Sequence, residues 1–366
     1  MISLLFIILF TYVFFIVALI FGFTKMKPII FYDSSIKTKF SIVVPFRNEA
    51  ENLPKLLASL SFLDYPKELY EVMLVDDDSD DDILITNYNF YFTIIKNERK
   101  SNSPKKDAIE TAIKTAKHDW IITTDADCLV ESNWLKILDN YIQQSQKKMI
   151  AAGVYYLPKK GFLHAFQNLD FLSLQGVTIG SFGIELPFMC NGANFAYRKD
   201  FFYELNGFQG NEKIASGDDV FLLQKAIEKE KNAVGFCMHY QSTVKTHSAD
   251  KWSNLFFQRV RWASKSTGYS SFFGKTIALL VFGINLIWVL SFMLCVFNLF
   301  PLYSFLFYAG IKFLIDSILL FQASSYFKTR ISWLLLSSFL YPFFSTSVAI
   351  YSLFGKYKWK GRQFKK

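Results

Sequence analysis

Two kinds of hydrophobic pattern alternate along the chain. Residues 1–23 carry no charged side chain, and as one helix they would rise about 35 Å, enough for a hydrocarbon core of about 30 Å. A signal peptide would show a basic start, a shorter apolar stretch and a small-residue cleavage site, and this run shows none of them. It predicts an uncleaved anchor over residues 1–24, with Lys25 and Lys27 marking the cytoplasmic side.

From about residue 37 to 274 the pattern changes to short apolar runs separated by helix-like stretches, which predicts an α/β sheet domain. Residues 40–45 (FSIVVP) read as a buried first strand. Residues 48–60 follow as a helix, with Asn48 as N-cap and Glu49 and Glu51 in its first turn. Further strands are expected at 70–75 (YEVMLV), 92–96 and 120–124 (WIITT), with a helix at 105–117. Two of these strands end in acid. Open α/β sheets bind ligands outside the carboxyl ends of their strands, so that edge is where chemistry is expected.

Beyond residue 274 the chain turns apolar again. Residues 276–300 are uncharged, Pro301 interrupts, a second segment reaches about 327, and a third covers 331–354. Residues 275–354 thus predict C-terminal membrane segments, followed by a basic tail at 355–366. Lys312 and Asp316 lie four apart on one helix face, and within a membrane they would be costly unless paired; a structural ion pair is the expectation. Two crossings would return the chain to Lys328 and Arg330 on the cytoplasmic side. A third crossing would place the basic tail outside, whereas a re-entrant hairpin at Pro342 would keep it inside, the arrangement favoured by its charge.

Composition sharpens this picture. Hydrophobic residues are 52% of the chain, with 41 Phe among 366 residues and only 17 Gly and 9 Pro, which excludes a disordered or collagen-like protein. The net charge of +9 is concentrated beside apolar segments, so membrane lipids rather than nucleic acid are the expected anionic partner. Cys128, Cys190, Cys237 and Cys295 are dispersed without a C-x-x-C pair, which argues against a disulfide scaffold and a zinc site. His118, His164, His239 and His247 are too scattered to serve as ligands.

Four short segments could carry chemistry. In TTDADCL, Asp125 and Asp127 stand two apart past a strand; in extended backbone both carboxylates would address one ion, and oxygen donors suit Mg²⁺ or Mn²⁺. A solvated loop with a helix cap at Asp127 explains the same residues equally well. In VDDDSDDD, Asp76 and Asp77 lie nearest the strand, while Asp80, Asp81 and Asp82 fit an exposed acidic loop. SGDDVFLLQKAI opens a helix with Asp218 and Asp219, as ordinary dipole complements or as a general base for an acceptor hydroxyl. QRVRW lies on an amphipathic stretch, 252–272, that suits a membrane interface. On a helix Gln258, Arg261 and Trp262 share a face, offering a fork for phosphate oxygens and a platform for a sugar. No GxGxxG or Walker A sequence is present.

The order PFRNE, VDD, KK, D-x-D, GDD, QRVRW, then membrane resembles the family 2 inverting glycosyltransferases of GT-A fold, in the membrane-bound branch with the D, DxD, (E/D)D, Q(Q/R)xRW series. The resemblance covers roughly residues 40–265. It implies a nucleotide-diphospho-sugar transferase fold, a mixed sheet flanked by helices, with transmembrane helices at both ends and the catalytic domain on the cytoplasmic face of the cell membrane. It further implies that Asp76 and Asp77 read the uracil and ribose of a UDP-sugar, and that Lys105 lines the donor pocket. Asp125 and Asp127 would contact the nucleotide and its divalent metal. Gln258 and Arg261 would hold the diphosphate, Trp262 and Asp218 would lie on the acceptor side, and Asp219 would be the catalytic base. CNGANFAYRKD (190–200) resembles the acceptor-side strand. Asp78 departs from the family's turn glycine, and the number of C-terminal segments is smaller than in polymer synthases, so a lipid acceptor is as well suited as a growing glycan. The rival reading is a catalytically inactive glycan-binding or assembly subunit that kept the fold.

Overall fold

The structure is a computed structural model and describes residues 2–31, 35–82, 88–212, 214, 216–354, 357–359 and 362–364. Helix α1 (Ile2–Lys25) leads to β1 (Phe40–Phe46), α2 (Leu53–Ser61), β2 (Tyr70–Asp76), β3 (Phe92–Lys96), α3 (Pro104–Thr115) and β4 (Trp120–Thr123). Next come β5 (Cys128–Leu129), α4 (Trp134–Gln144), β6 (Met149–Ala152), β7 (Val154–Tyr156), α5 (Phe162–Gly183), β8 (Phe195–Arg198) and α6 (Lys199–Glu204). The chain continues through α7 (Asp218–Glu230), β9 (Val234–Cys237), β10 (Val244–Thr246) and α8 (Trp252–Ser264). It closes with α9 (Phe272–Val296), α10 (Leu302–Phe327), α11 (Leu334–Phe354), β11 (Tyr357–Trp359) and β12 (Arg362–Phe364).

The chain divides into an α/β unit, Lys27–Leu157 with Met189–His247, and a helical unit, Met1–Met26 with Pro158–Phe188 and Ser248–Lys366. This differs from one domain over residues 37–274, because α5 and α8 group with the apolar helices. Helix α5 carries Gln167, Asn168 and Asp170 among its apolar residues, so its hydrophobic run is broken and no membrane-like pattern marks it in the sequence.

In the α/β unit, seven strands run in the order β3-β2-β1-β4-β8-β6-β9. Strand β1 pairs in parallel with both β2 and β4, whereas β4 pairs antiparallel with β8. The sheet is therefore mixed, and its strand order reverses at β1. Phe40, Ile42, Val43 and Val44 of β1 are fully buried, each contributing about 1.5–3 kcal/mol of hydrophobic stabilisation. The strands predicted at 40–45, 70–75, 92–96 and 120–124 match β1 to β4 within a residue. The first helix does not match: α2 begins at Leu53, not near Asn48. Asn48 is instead in the left-handed region (φ 53°), and its Oδ1 accepts the amide of Asp80 at 2.8 Å. Turn formation against the acidic loop outcompetes helix capping there.

In the helical unit, α1, α9, α10 and α11 are each long and apolar enough to cross a membrane. Backbones of α1 and α5 meet directly, since a Cβ on Gly22, Gly180 or Gly183 would collide with the opposing helix. Lys312 and Asp316 form the expected pair at 2.6 Å, and Tyr12 of α1 donates to the second carboxylate oxygen at 2.6 Å. Helix α11 runs unbroken through Pro342, so the re-entrant hairpin does not form; packing on α8 and α9 holds the helix despite the missing amide. The basic tail includes an antiparallel hairpin of β11 and β12.

Candidate active site

Three strand ends of the α/β unit build one edge. At the end of β1, Arg47 donates from Nη1 to the carbonyl of Asp77 at 2.8 Å and to that of Asp78, and from Nη2 to Asp80 Oδ2 at 3.0 Å. At the end of β2, Asp76 Oδ1 accepts the amide and hydroxyl of Ser79 at 3.0 and 2.6 Å, closing a side-chain turn. Asp78 is left-handed (φ 66°); it adopts the backbone conformation that a glycine would supply, so the departure at this position leaves the turn intact. The acidic loop is exposed at Asp80 and Asp82 yet tied down, because Asp80 pairs with Arg47 and Asp81 Oδ2 accepts the amide of Ala50 at 2.7 Å.

Asp77 is buried, and its Oδ1 accepts from Asn97 Nδ2 and Arg99 Nε, both at 2.7 Å. Asn97 and Arg99 follow β3 and carry no sequence pattern of their own. Arg47 was visible within PFRNE, but its job of bracing the acidic loop was not.

Past β4, Asp125 and Asp127 do not lie in extended backbone. The amide of Cys128 closes a turn on the carbonyl of Asp125 at 3.1 Å, and ligand atoms of Asp125, Asp127 and Cys128 lie within 4.8 Å of one another. The two carboxylates reach one neighbourhood by a turn rather than by strand alternation. As hard oxygen donors they fit Mg²⁺ or Mn²⁺. The Cys128 thiol is a poor match: burial, then the Asp127 and Asp125 charges, push its pKa well up, so it stays a protonated, soft group.

Lys105 sits in the first turn of α3. Its Nζ lies 2.7 Å from Asp125 Oδ1 and 3.3 Å from Asp218 Oδ2. Burial favours the neutral amine, yet the carboxylates of Asp125 and Asp218 outweigh it and hold Lys105 well above the ordinary lysine range. The adjacent Lys106 is buried and turns away, donating to the carbonyls of Asn211 and Ile214 at 2.7 and 2.9 Å. That contact fastens the segment leading into α7.

Helix α7 opens after Gly217, whose φ of 82° demands a glycine or a strained residue. Asp218 is buried on Lys105, and Asp219 Oδ2 accepts the amide of Gly192 at 2.9 Å. Gly192 in turn is held by its carbonyl, which accepts the Thr123 hydroxyl of β4 at 2.7 Å. A Cβ on Gly192 would come 2.9 Å from Asp218 Oδ2 and 3.4 Å from Lys105 Nζ. Gly192 is thus a site residue that sequence reasoning passed over, although it lies within CNGAN. Behind it, Asn194 accepts from Trp134 Nε1 at 3.1 Å and donates to the carbonyls of Gly153 and Ser242 at 2.9 and 2.8 Å.

Lys105, Asp125, Asp218, Asp219 and Gly192 are therefore joined in one network, with Asp127 beside Asp125. Asp76 and Asp77 occupy the same sheet edge two strands away. Gln258, Arg261 and Trp262 lie on α8 of the helical unit.

The model of the family described as "Glycosyl transferase family 2" matches residues 41–205. The chain is similar to Glycosyltransferase AglE of Haloferax volcanii, 24% identical over 194 residues that make up 51% of this chain and 61% of that protein. It is 35% identical over 116 residues to a poly(ribitol-phosphate) beta-glucosyltransferase of Bacillus spizizenii, covering 30% of this chain and 18% of that one. The chain thus spans about three fifths of the first relative's length and under a fifth of the second's. Among solved structures it is similar to the mannosyltransferase PcManGT from Pyrobaculum calidifontis in complex with GDP-Man and Mn²⁺. The TM-score is 0.52 at 14% identity, with 97% of this chain and 99% of that chain covered, a likeness of fold.

Proposed function

Because the chain carries a family 2 glycosyltransferase domain of GT-A fold, we propose that it is an inverting transferase. It moves a sugar from a nucleotide-sugar donor, UDP-linked, to a lipid or growing glycan at the membrane surface. The observation that carries this reading is the network of Asp125, Lys105, Asp218 and Asp219 at the sheet edge where strand order reverses, the place where open α/β sheets take nucleotides.

The roles follow from the charges. A divalent cation on Asp125 and Asp127 would neutralise charge on the donor diphosphate. Lys105 stays protonated and presents its charge to the same group. Asp218, paired with Lys105, serves to hold the lysine. Asp219 takes the proton of the acceptor hydroxyl as that oxygen bonds to the anomeric carbon and the carbon–diphosphate bond breaks on the opposite face. One displacement inverts the configuration. Asp76 and Asp77 receive the nucleoside, and from the QRVRW motif we assign Gln258 and Arg261 as diphosphate contacts and Trp262 as the acceptor platform.

The α/β unit faces the cytoplasm in this proposal, with Lys25, Lys27, Lys328 and Arg330 on that side. The test is transfer by purified protein from a panel of radiolabelled UDP-sugars, with products sorted into lipid and polymer fractions. Absence of transfer from every donor would refute the reading.

A further inference from the structure

At the centre of α8 is a residue that the motif reading left without a role. Arg259 and Asp170 of α5 form an ion pair, Nε to Oδ2 at 2.5 Å, with side chains only 6% and 5% exposed. From Nη1 the same guanidinium donates to Oε1 of Gln258 at 2.5 Å. Its carbon lies 4.2 Å from the centroid of the Trp262 ring. Phe171, next to Asp170, packs a tilted ring 6.1 Å from that indole. One buried cation thus touches two of the three residues of α8 that the motif reading singles out.

Stability is a weak reason for such a pair. Desolvating two charges roughly cancels their attraction, and apolar residues of similar volume often do as well. Orientation is the stronger reason. Asp170 sets the plane of the guanidinium, and a planar cation ranks among the best stacking partners for an indole face. A glutamine amide can flip, but a guanidinium donor can be met only by its carbonyl oxygen. With Oε1 turned to Arg259, the NH₂ of Gln258 is directed elsewhere, as a donor suited to a phosphate oxygen.

We infer that Arg259, locked by Asp170, is a positioning residue that fixes the amide of Gln258 and the ring of Trp262 for transfer. This rests on the transferase reading above and adds a role to it. Lysine at 259 would keep the charge beside Asp170 yet lose the fork and the flat stack.

Full-length Arg259→Lys and Asp170→Asn are compared with wild type in detergent by two readouts. One is turnover per folded molecule with kcat and KM separated. The other is the emission of Trp262, isolated by subtracting the matching Trp262→Phe protein. The expected result is a fall in kcat of about tenfold or more, a red-shifted Trp262 emission, and an unfolding midpoint in Arg259→Lys close to wild type. Wild-type kcat with unshifted emission in Arg259→Lys would overturn the inference, as would a loss of activity that merely tracks the folded fraction. If the wild-type protein itself transfers nothing, the transferase reading fails instead. The emission, which needs no substrate, then still decides whether Arg259 orients the indole. Should Asp170→Asn not fold, Arg259→Lys alone decides.

Discussion

Lys105 Nζ rests 2.7 Å from Oδ1 of Asp125, the first acid of the D-x-D pair. A lysine ammonium therefore already holds one of the two carboxylates that suit a divalent cation, and the same ammonium reaches Asp218 at 3.3 Å. In the proposed function, lysine and metal would compete for Asp125 until a diphosphate arrives to share both charges.

Replacing the lysine separates these effects. In Lys105→Met, Mn²⁺ in the absence of nucleotide is expected to bind about tenfold tighter, equivalent to about 1.4 kcal/mol, while transfer falls by at least as much. Titration followed by electron paramagnetic resonance measures the first and product formation the second. Unchanged or weaker Mn²⁺ binding would show that no competition exists.

Asp219 accepts a backbone amide from Gly192, whereas Asp218 faces Lys105. Asp219→Asn should lower transfer by about 10²–10⁴ and leave UDP affinity within about twofold by calorimetry. Retained turnover would move the base to another residue.

Gly192 leaves no room for a side chain. In Gly192→Ala the new Cβ would meet Asp218 Oδ2 at 2.9 Å, and because Lys105 holds that carboxylate it cannot swing away without loss of the pair. A destabilisation of about 1–3 kcal/mol is expected, with turnover reduced, as read by thermal unfolding and product assay.

Asp78 sits at φ 66°. Asp78→Gly should be neutral or stabilising by up to about 1 kcal/mol, and Asp78→Val should cost about 1–2 kcal/mol, because only the former accepts the left-handed region without strain. Denaturant unfolding distinguishes them.

The Tyr12–Lys312–Asp316 cluster of the helical unit offers a contrast in size. Tyr12→Phe removes one hydrogen bond to Asp316 and should cost about 1 kcal/mol. Asp316→Asn leaves the buried ammonium of Lys312 unmatched and should cost about 3–5 kcal/mol. Unfolding midpoints in detergent should rank the two in that order.

Much of the scaffold could be read from residue order. β1 to β4 follow from apolar runs of strand length, two of which stop at acids, and the four long apolar helices follow from stretches with few or no charges. Asp125, Lys105, Asp218 and Asp219 were named from motifs and lie in one network. Other features were hidden. Asn48 has a good capping residue's chemistry yet turns left-handed to meet Asp80. The polar residues of α5 disguised a helix that packs with α1. Gly192, Arg99 and Arg259 gain meaning only from partners 27, 22 and 89 residues away.

The division has a physical cause. Strand and helix periodicity, apolar length and the chemical type of each motif residue are properties of neighbours along the chain, and the sequence by itself determined them: an acid-edged α/β domain between apolar helices. Hydrogen bonds and ion pairs are short-ranged and directional, so their partners exist only once distant segments are folded together. Tertiary structure alone decided that Lys105 would bridge Asp125 and Asp218, that Gly192 would carry Asp219, and that Asp170 would set the plane of Arg259.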